Sequence, residues 1–450
     1  MKRRTSVSQS LPSCSYFSPL FGEIPFVAIT PQEIIHSETH IILPCYSIPS
    51  CTSFQLWCSI FPLLSNLSNI SELTRLYSFT SPASLSLLQS LPPIESSHFF
   101  RDTIPIIASL AAIHPKLFPT PLILPTTPNS ILRLNRLQVA SLFALSFLGL
   151  FRLPLKFQDA KQFPRCLSIV DKVSATKLRC YMAYFSTIGI AIINKDPILQ
   201  EQITYQRVYG ESPQWSNIPI PVSANVTIVD GLIEKENRNV LKAVFSSKAV
   251  GGNVLEDGCS QEEIMFIKCP ECMVALLIAP VLNANESFRI YNVLQYSEVT
   301  GYATEISFKG NVASLQLKHD FVIFDALICV DKKLQYTQYG IDRELNKVFS
   351  AIKKTDDDCD VMQPFATGKW GCGSMLGDSR LKFIIQLLAS SLTGREMRYH
   401  PLNDIQHQNE ITAFLQAIKN KKPTIQELYN YTLALASTNP SSLLTRITQL

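Results

Sequence analysis

Apolar and polar residues follow two different patterns along this chain. From about residue 95 to residue 205, apolar residues recur at the three- and four-residue spacing of helices with one buried face. From about residue 206, short apolar segments alternate with segments of helical spacing. The pattern therefore predicts a helical region that is followed by an α/β region.

The predicted elements of the second region alternate between strands and helices. In the first region the predicted helices cover 99–111, 132–151 and 175–188. In the second region the predicted helices cover 261–277, 342–353, 379–392, 409–419 and 425–437, and the predicted strands cover 225–234, 241–247, 288–295, 321–329, 362–367 and 397–402. Such alternation predicts a sheet with helices on both faces and a ligand site outside the strand ends.

Residues 1 to about 90 differ in composition from the rest of the chain. They are rich in serine, proline, leucine, phenylalanine and cysteine, and the prolines interrupt any periodicity. Their apolar content argues against complete disorder. We expect a partly ordered extension that packs on the next domain, and its sequence indicates no function.

The overall composition is that of a folded protein. The chain has 450 residues, of which 46% are hydrophobic and 17% charged, and this length suits two or three domains. The net charge of +4 is too small to indicate a nucleic-acid binder, so a polyanionic substrate would be held by local groups. The longest apolar run, 139–150, is too short to span a bilayer, and we expect a soluble protein.

The cysteines and histidines indicate neither a disulfide framework nor a metal site. Twelve cysteines lie scattered, and no convincing signal peptide precedes them, so we expect reduced thiols in an intracellular protein. Cys269 and Cys272 form a single CxxC pair, and the seven histidines form no cluster. We therefore expect no zinc and no other cofactor. The basic residues at 2–4 are weak evidence for a nuclear address.

A glycine-bearing loop at 250–260 joins a predicted strand to a predicted helix. Gly251 and Gly252 let backbone N–H groups approach a ligand, and the helix N-terminus favours negative charge, so the loop suits an anion such as a diphosphate. Glu262 and Glu263 at the same helix start suggest chemistry in addition to binding. Alternatively, the capping-box pattern Ser-x-x-Glu ends at Glu263, and on that pattern alone capping is the commoner role.

The glycine pair and the Gln-Glu-Glu triplet at 261–263 resemble the signature of poly(ADP-ribose) glycohydrolases, in which a glycine run precedes Gln-Glu-Glu. The resemblance implies a macro-domain-like mixed sheet flanked by helices and preceded by a helical accessory domain. It also implies that Glu263 is the general acid/base, that Glu262 holds the neighbouring ribose, and that Gln261 contacts the substrate.

Two further blocks resemble binding segments of the same family. Ile233 and Glu234 match a pair that recognises adenine, although without the resemblance a polar strand end would be the simpler interpretation. Tyr302, in the block 295–303, matches a tyrosine whose ring packs on the ligand.

The remaining matches are a second glycine loop and two scaffold segments. The block 366–378 carries four glycines ahead of a helix and would again form a cradle of backbone N–H groups, with a purely structural turn as the alternative. The blocks 324–327 and 343–347 match scaffold elements. The residues with an implied substrate-binding role are Ile233, Glu234, Ser247, Gly251, Gly252, Asn253, Gln261, Tyr302, Lys369, Trp370, Gly371, Cys372, Gly373 and Ser374.

The adjacency of Glu262 and Glu263 bears on the mechanism. Neighbouring helical residues point about 100° apart, so the two carboxylates are poorly placed to flank one bond as acid and nucleophile. A one-acid mechanism fits better: Glu263 protonates the ribose 2′-oxygen leaving group and later takes a proton from the attacking water. Burial and Glu262 would raise the pKa of Glu263, the helix N-terminus would lower it, and the sequence does not decide between them.

Five positions depart from the family pattern. Val244 stands in place of an aspartate, and Ser247 in place of an asparagine. Asn253 replaces the third glycine, and Lys369 replaces an asparagine. Leu402 replaces a phenylalanine that stacks on adenine, a loss of about 1 kcal/mol. These departures leave a second interpretation open, a binding module that holds ADP-ribose and cleaves slowly or not at all.

The resemblance thus predicts a hydrolase that releases ADP-ribose from poly(ADP-ribose) by cleaving ribose–ribose O-glycosidic bonds. The expected organisation is an extension at 1–90, a helical accessory domain at 91–205 and a macro-like catalytic domain at 206–440. Expected partners are poly(ADP-ribose) or ADP-ribosylated proteins, without direct contact to nucleic acid or membrane. The resemblance also implies the nucleus or cytoplasm and the DNA damage response, while oligomeric state and exo or endo cleavage stay open.

Overall fold

A computed structural model of the chain describes residues 40–43, 63–64, 67–80, 84–118, 122–125, 129–150, 163–236, 239–279, 281–356, 360–436 and 443–447. Most of the predicted extension at 1–90 lies outside these residues. The described residues form a helical part and a sheet that is covered by helices.

The first half of the described chain is mainly helical. Its two longest helices begin at side-chain caps: Asn135 and Gln138 form a reciprocal capping box, and Asp171 accepts a hydrogen bond from the N–H of Ser174. The helices are α1 (Ile70–Thr80), α2 (Ser86–Gln89), α3 (Pro93–His98), α4 (Ile104–Ala112) with a π-helical turn at Phe99–Thr103 before it, α5 (His114–Leu117), α6 (Arg136–Phe147) and α7 (Lys172–Ile193), with 3-10 turns at Phe163–Ser168 and Pro197–Gln200. Their apolar side chains share one continuous core.

Eight of the described strands form one mixed sheet. The strands are β1 (His40–Leu43), β2 (Leu122–Pro125), β3 (Ile131–Asn135), β4 (Gln202–Tyr209), β5 (Val226–Ile228), β6 (Leu241–Ser246), β7 (Glu286–Leu294), β8 (Ser297–Thr300), β9 (Ser307–Asn311), β10 (Lys318–Asp325), β11 (Phe365–Gly368) and β12 (Met397–His400). The sheet order is β3-β4-β7-β10-β6-β11-β12-β5, and the strands from β10 to β5 are parallel. The pairs β1–β2 and β8–β9 form separate antiparallel ladders.

Helices cover both faces of this sheet. In the second half they are α8 (Gln261–Lys268), α9 (Ala275–Ile278), α10 (Gln338–Ile352), α11 (Ser379–Thr393), α12 (Ile405–Lys421), α13 (Ile425–Ala436) and α14 (Leu443–Ile447), with 3-10 turns at Trp215–Asn217, Ile233–Lys235, Pro270–Val274, Ala303–Glu305 and Leu334–Tyr336. Successive residues of β6 face opposite sides: Val244 packs in the core shared with the helical part, and Ala243 packs in the core under the C-terminal helices. The predicted mixed sheet flanked by helices is confirmed.

The sheet opens beside the end of β6. Ser246 pairs with Asp325, so β6 and β10 end together at one edge. On the other side, β6 pairs with β11 at Leu241 and Lys242, near its beginning. After Lys242, the backbone N–H and C=O groups of β6 that face β11 therefore need hydrogen-bond partners other than a strand.

The structure differs from the predicted elements in several places. Residues 131–135 form β3 instead of the start of a helix, and β3 pairs with β4, which the pattern did not indicate. In β4 the six residues 203–208 are all buried. The strand therefore lacks the alternation of polar and apolar residues that is typical of a strand with one solvent-exposed face. The predicted helix 261–277 breaks where Pro270, which lacks an N–H, begins a 3-10 turn. The predicted strand 225–234 is reduced to β5 and a 3-10 turn.

The described residues also bear on the cysteines and on membranes. All seven cysteines in the described ranges are free thiols, including buried Cys269 and Cys272. Within the same ranges, no group of three or more potential ligands could hold a metal ion. No described helix combines the length and the apolar character that crossing a membrane requires.

Candidate active site

A cavity of about 990 Å³ lies between α8, the β8–β9 hairpin, the 3-10 turn Ile233–Lys235 and the loop after β11. Its volume is at the upper end of the range that is common for ligand sites, about 300–1,000 Å³. The predicted site residues that line it are Ile233, Glu234, Gln261, Tyr302, Lys369, Trp370, Gly371, Cys372, Gly373 and Ser374. The fold thus brings separate sequence blocks to one cavity.

Six of the predicted site residues do not line the cavity. Ser246 and Ser260 line the cavity and donate hydrogen bonds to Glu262 and Glu263. Glu262 is 2% exposed and Glu263 is 5% exposed. The predicted residues that do not line the cavity are Ser247, Gly251, Gly252, Asn253, Glu262 and Glu263.

Gln261 fills the opening between β6 and β11. Its Oε1 accepts a hydrogen bond from the N–H of Phe245 at 2.8 Å, and its Nε2 donates to the carbonyl of Ala243 at 2.9 Å. The side-chain amide thereby replaces the strand partner that β6 lacks at these residues. Gln261 lines the cavity, but its amide is already bonded to the sheet and fixes α8 against β6.

Glu262 is held by the end of β6 and by the first glycine loop. Its Oε1 accepts hydrogen bonds from Ser246 Oγ and from the N–H of Gly251, both at 2.7 Å, and Oε2 lies 3.3 Å from the N–H of Ser247. Burial raises the pKa of Glu262 to about 8, the neighbouring Glu263 adds to the rise, and the hydrogen bonds oppose it. Glu262 is therefore a carboxyl group that is readily protonated near neutral pH.

Glu263 is bonded to its own chain. Its Oε2 accepts from the N–H of Ser260 at 2.8 Å and from Ser260 Oγ, which completes the capping box of α8. Its Oε1 accepts from the N–H of Asn253 at 2.9 Å. The carboxylate also lies near Tyr302: burial raises the pKa of the Tyr302 hydroxyl, and the charge of Glu263 raises it further. In this conformation Glu263 caps its helix and does not line the cavity.

The first glycine loop faces these two carboxylates. The N–H groups of Gly251 and Asn253 donate to Glu262 and Glu263, so the carboxyl groups that the loop holds are the protein's own. Gly251 and Gly252 have φ of +85° and +51°, which glycine adopts without strain. The φ of Asn253 is not positive, so a residue with a side chain fits without strain where the family has its third glycine.

The second glycine loop forms the opposite side of the cavity. Trp370 is fully buried beneath it, with Nε1 3.3 Å from the carbonyl of Phe324 and Lys382 Nζ 4.0 Å from the ring centre. Gly371 has φ of +71°, and a Cβ there would lie 2.5 Å from Cβ of Ala326. Trp370 is thus an internal anchor, and the loop backbone borders the cavity.

The segment with Ile233 and Glu234 is tied to β12 by a histidine. The ring of His400 lies 3.0 Å from the carbonyl of Gly231 through Nδ1 and 3.1 Å from Glu236 Oε1 through Nε2. Arg398 bonds the same carboxylate at 2.8 Å. These contacts fix the end of the cavity where the resemblance places adenine.

The departures from the family pattern take specific places in the structure. Val244 is fully buried in the apolar core and does not line the cavity. Leu402 lines the cavity, is 47% exposed and has φ of +56°. Lys369 Nζ lies 2.6 Å from Asp404 Oδ2, so its charge is paired. Ser247 Oγ donates to the carbonyl of Ala249 at 2.8 Å.

Several residues of this site were not predicted from the sequence. Ser246, Lys268 and His319 line the cavity. Ser246 lies two residues after Val244, in the block where this chain departs from the family pattern. That departure could have indicated Ser246 as a site residue. Lys268 lies two helical turns after Gln261 on α8, and that spacing also places it on the cavity side. His319 carries no sequence signal, because only the register of β10 places it here.

Two family models match the chain. Residues 91–207 match "Poly (ADP-ribose) glycohydrolase (PARG), helical domain", and residues 212–409 match "Poly (ADP-ribose) glycohydrolase (PARG), Macro domain fold". Together they account for more than half of the chain and follow the order of the helical and sheet regions. The fold is therefore that of a macro domain with a preceding helical domain. The chain belongs to the poly(ADP-ribose) glycohydrolase family.

Similar proteins carry the same family name. Poly(ADP-ribose) glycohydrolase 1 of Arabidopsis thaliana is 25% identical, over 75% of this chain and 78% of its own length. Poly(ADP-ribose) glycohydrolases 1 and 2 of Caenorhabditis elegans are 24% and 26% identical, over 60% and 66% of this chain. The matches span 36% and 62% of the two nematode proteins, so the chain corresponds to only part of them.

A solved structure of the family aligns with part of the chain. The crystal structure of poly(ADP-ribose) glycohydrolase from Deinococcus radiodurans in complex with ADP-ribose aligns over 44% of this chain and 85% of its own, with 14% identity and a TM-score of 0.27. At that TM-score the likeness supports no comparison of the two sites.

Proposed function

We propose that this protein hydrolyses the ribose–ribose O-glycosidic bonds of poly(ADP-ribose) and releases ADP-ribose, with Glu263 as the general acid/base. The observation that carries the proposal is the convergence of three family blocks on one cavity: the turn with Ile233, the start of α8, and the second glycine loop. Membership of the family supports the same activity. The cavity volume suits a nucleotide-sized ligand.

The proposed reaction requires an exchange of hydrogen-bond partners at the first glycine loop. In the free protein the N–H groups of Gly251 and Asn253 are bonded to Glu262 and Glu263. A bound diphosphate offers anionic oxygens to such N–H groups and would compete with the carboxylates for them. The exchange would release the Glu263 carboxyl group toward the cavity wall that Ser260 forms.

In the proposed chemical step a protonated Glu263 donates to the 2′-oxygen of the leaving ribose as the C1″–O bond breaks. The positive charge that develops at C1″ is stabilised by the diphosphate of the substrate. The Glu263 carboxylate then takes a proton from the water that forms the new C1″–O bond, which restores the acid. The charge of an ionised Glu263 contributes to the pKa of about 8 of Glu262, so near neutral pH the Glu263 carboxylate that accepts the proton has a protonated neighbour.

A second candidate function is an ADP-ribose-binding module with little or no cleavage. Three observations favour it: the Glu263 carboxyl group is engaged in capping, Val244 is buried where the family has an aspartate, and Leu402 offers no aromatic ring to adenine. Both candidates predict ADP-ribose binding in the same cavity. They differ in turnover.

Incubation with labelled poly(ADP-ribose), followed by sizing of the products, tests the proposal. The enzyme releases ADP-ribose monomers, and shorter oligomers would indicate additional internal cleavage. Intact polymer, together with binding of ADP-ribose in calorimetry, supports the binding module instead. Intact polymer without binding of ADP-ribose would contradict both candidates.

We also propose poly(ADP-ribose) or ADP-ribosylated proteins as the partners, with the nucleus or cytoplasm as the compartment and the DNA damage response as the setting. The free thiols among the described residues support a reducing compartment. Imaging of a tagged chain before and after DNA damage tests this proposal, and retention in a secretory compartment would contradict it.

A further inference from the structure

Lys177 is a buried lysine of α7 that reaches into the macro domain. Its side chain is almost fully buried, at 1% exposure. Nζ donates to the carbonyl of Asn253 at 3.2 Å and to the carbonyl of Glu256 at 2.5 Å. In the described part of the chain, no carboxylate lies within ion-pair distance of Nζ. Its charge is therefore directed at two peptide carbonyls of the first glycine loop.

Burial of an ammonium group is unfavourable unless hydrogen bonds compensate for the lost water. Burial accordingly lowers the pKa of Lys177, and nearby Cys259 and Glu263 oppose this effect, followed by Cys166 and Asp171. If Lys177 only filled space, an apolar side chain of similar length could replace it without loss of stability. The two short contacts to carbonyls indicate a more specific role.

One of the two loop residues that Lys177 holds, Asn253, also holds Glu263, the catalytic candidate. Asn253 accepts from Lys177 through its carbonyl and donates to Glu263 through its N–H. The carbonyl of Asn253 also accepts from the N–H of Glu256, which closes a turn. Two hydrogen bonds therefore connect the helical domain, through the single loop residue Asn253, to the Glu263 carboxylate.

We propose that Lys177 is a positioning residue that fixes the turn at 253–256 and thereby sets the orientation of Glu263. It makes the helical domain part of the active centre, although no residue of α7 lines the cavity. The proposal rests on the proposed function only in its catalytic readout, because the order of the loop can be measured in the free protein. It assigns the helical domain a task beyond packing.

The test replaces Lys177 by methionine, which keeps the unbranched side chain and removes the charge and the donors. Hydrogen exchange in residues 250–258 of the free, full-length protein should become faster than in the wild type. The kcat for polymer should fall on the order of 100-fold, as for a misplaced catalytic group. The affinity for ADP-ribose should fall much less than kcat, because Lys177 does not border the cavity and the binding segments outside the first glycine loop are unchanged.

Two control variants lie on the same helix. Lys172→Met removes an exposed lysine whose partner Glu305 is also exposed, and Tyr184→Phe removes a buried hydroxyl without a hydrogen-bond partner. Both should retain wild-type exchange in the loop and wild-type kcat. If the methionine variant does not fold, Lys177→Arg, which keeps the charge but changes its reach, is measured by the same two readouts.

A folded Lys177→Met protein with wild-type loop exchange and wild-type kcat would overturn the proposal. Equal losses of kcat and of ADP-ribose affinity in Lys177→Met, accompanied by similar losses in Tyr184→Phe, would also overturn it, because they would indicate general destabilisation. A wild-type protein that binds ADP-ribose without cleaving polymer would refute the proposed function alone. The hydrogen-exchange comparison would still decide the role of Lys177.

Discussion

Gly252 lies directly against the carboxylate of Glu263. A Cβ placed on Gly252 would be 2.4 Å from Oε1 of Glu263 and 2.8 Å from Oε2 of Glu262, and the φ of Gly252 is +51°. A side chain at this position would have to move both carboxylates. The loop glycine and the two glutamates therefore act as one structural unit.

Substitution of Gly252 by alanine should abolish polymer hydrolysis and lower the free energy of unfolding. The left-handed conformation alone costs about 1–2 kcal/mol for alanine, and the contact with the carboxylates adds to it. Gly394→Ala is the matched control, since Gly394 has φ of +70° and its Cβ would meet no atom within 4 Å. Thermal denaturation and hydrolysis assays of both variants measure the difference. Equal stability and equal activity of the two variants would contradict this interpretation.

The pKa of Glu262 predicts a specific pH dependence of stability. Burial raises this pKa from 4.5 to about 8, so the native state holds the proton more tightly than the unfolded chain does. The stabilisation by this proton is complete below about pH 4.5 and is lost as the pH rises through about 8. The free energy of unfolding of the wild type, relative to that of Glu262→Gln, should therefore fall across this window by up to about 1.4 kcal/mol per pH unit.

Urea denaturation of both proteins between about pH 5 and pH 9 measures this difference. The comparison removes the contributions of all other titrating groups, since both proteins share them. Glu305→Gln, at an exposed glutamate, serves as the control and should follow the wild type. A constant difference between the wild type and Glu262→Gln over the whole range would show that Glu262 is not protonated on folding.

The ion pair between Lys369 and Asp404 should limit the attraction of the cavity for ADP-ribose. Both side chains are partly exposed, so the pair contributes about 0.5 kcal/mol or less to stability. Asp404→Asn keeps an acceptor for the N–H of His407 at the start of α12 and leaves Lys369 without its partner. This variant should bind ADP-ribose a few fold more tightly than the wild type, whereas Lys369→Asn should bind it less tightly.

Calorimetry at low and at high ionic strength measures both effects. Added salt should reduce the differences among the three proteins, because salt screens exposed charges. Thermal denaturation should show little change in either variant. Identical affinities of all three proteins at low salt would show that Lys369 does not contribute to the binding of ADP-ribose.

Leu402→Phe should strengthen the binding of ADP-ribose. Leu402 lines the cavity and is 47% exposed, so a larger ring has room and leaves the core unchanged. A ring stacked on adenine contributes about 0.5–1.5 kcal/mol, which corresponds to an affinity that is roughly 2- to 10-fold higher. Ribose 5-phosphate, which lacks adenine, is the control ligand and should show no gain. A similar gain for both ligands, or none for either, would place adenine elsewhere.

The sequence predicted the sheet region well because its strands lie beside recognisable loops. The alternating segment at 241–247 and the glycines after it identify β6 and its loop without reference to distant residues. β4 escaped prediction for a physical reason: Gln206 and Arg207 are buried in it, and Arg207 is paired with Glu286 at 2.6 Å. The sequence of neither strand by itself indicates that Arg207 and Glu286 form a buried ion pair.

The detailed roles of the site residues depend on contacts that the sequence does not encode locally. The amide of Gln261 bonds β6 because the pairing between β6 and β11 ends early, and no motif reports where a pairing ends. The capping box of Glu263 was visible as a pattern, and the structure forms it. The contact of Lys177 with the loop joins residues more than seventy positions apart. Only the packing of the two domains creates it.

The central claim is that Glu263 carries the proton in cleavage of the polymer. The most direct measurement is single-turnover release of ADP-ribose from labelled polymer by the wild type and by Glu263→Gln, with ADP-ribose affinity determined in parallel. We predict a rate that is lower by on the order of 100-fold or more, with an affinity within a few fold of the wild type. Release of ADP-ribose by Glu263→Gln at the wild-type rate would contradict the claim.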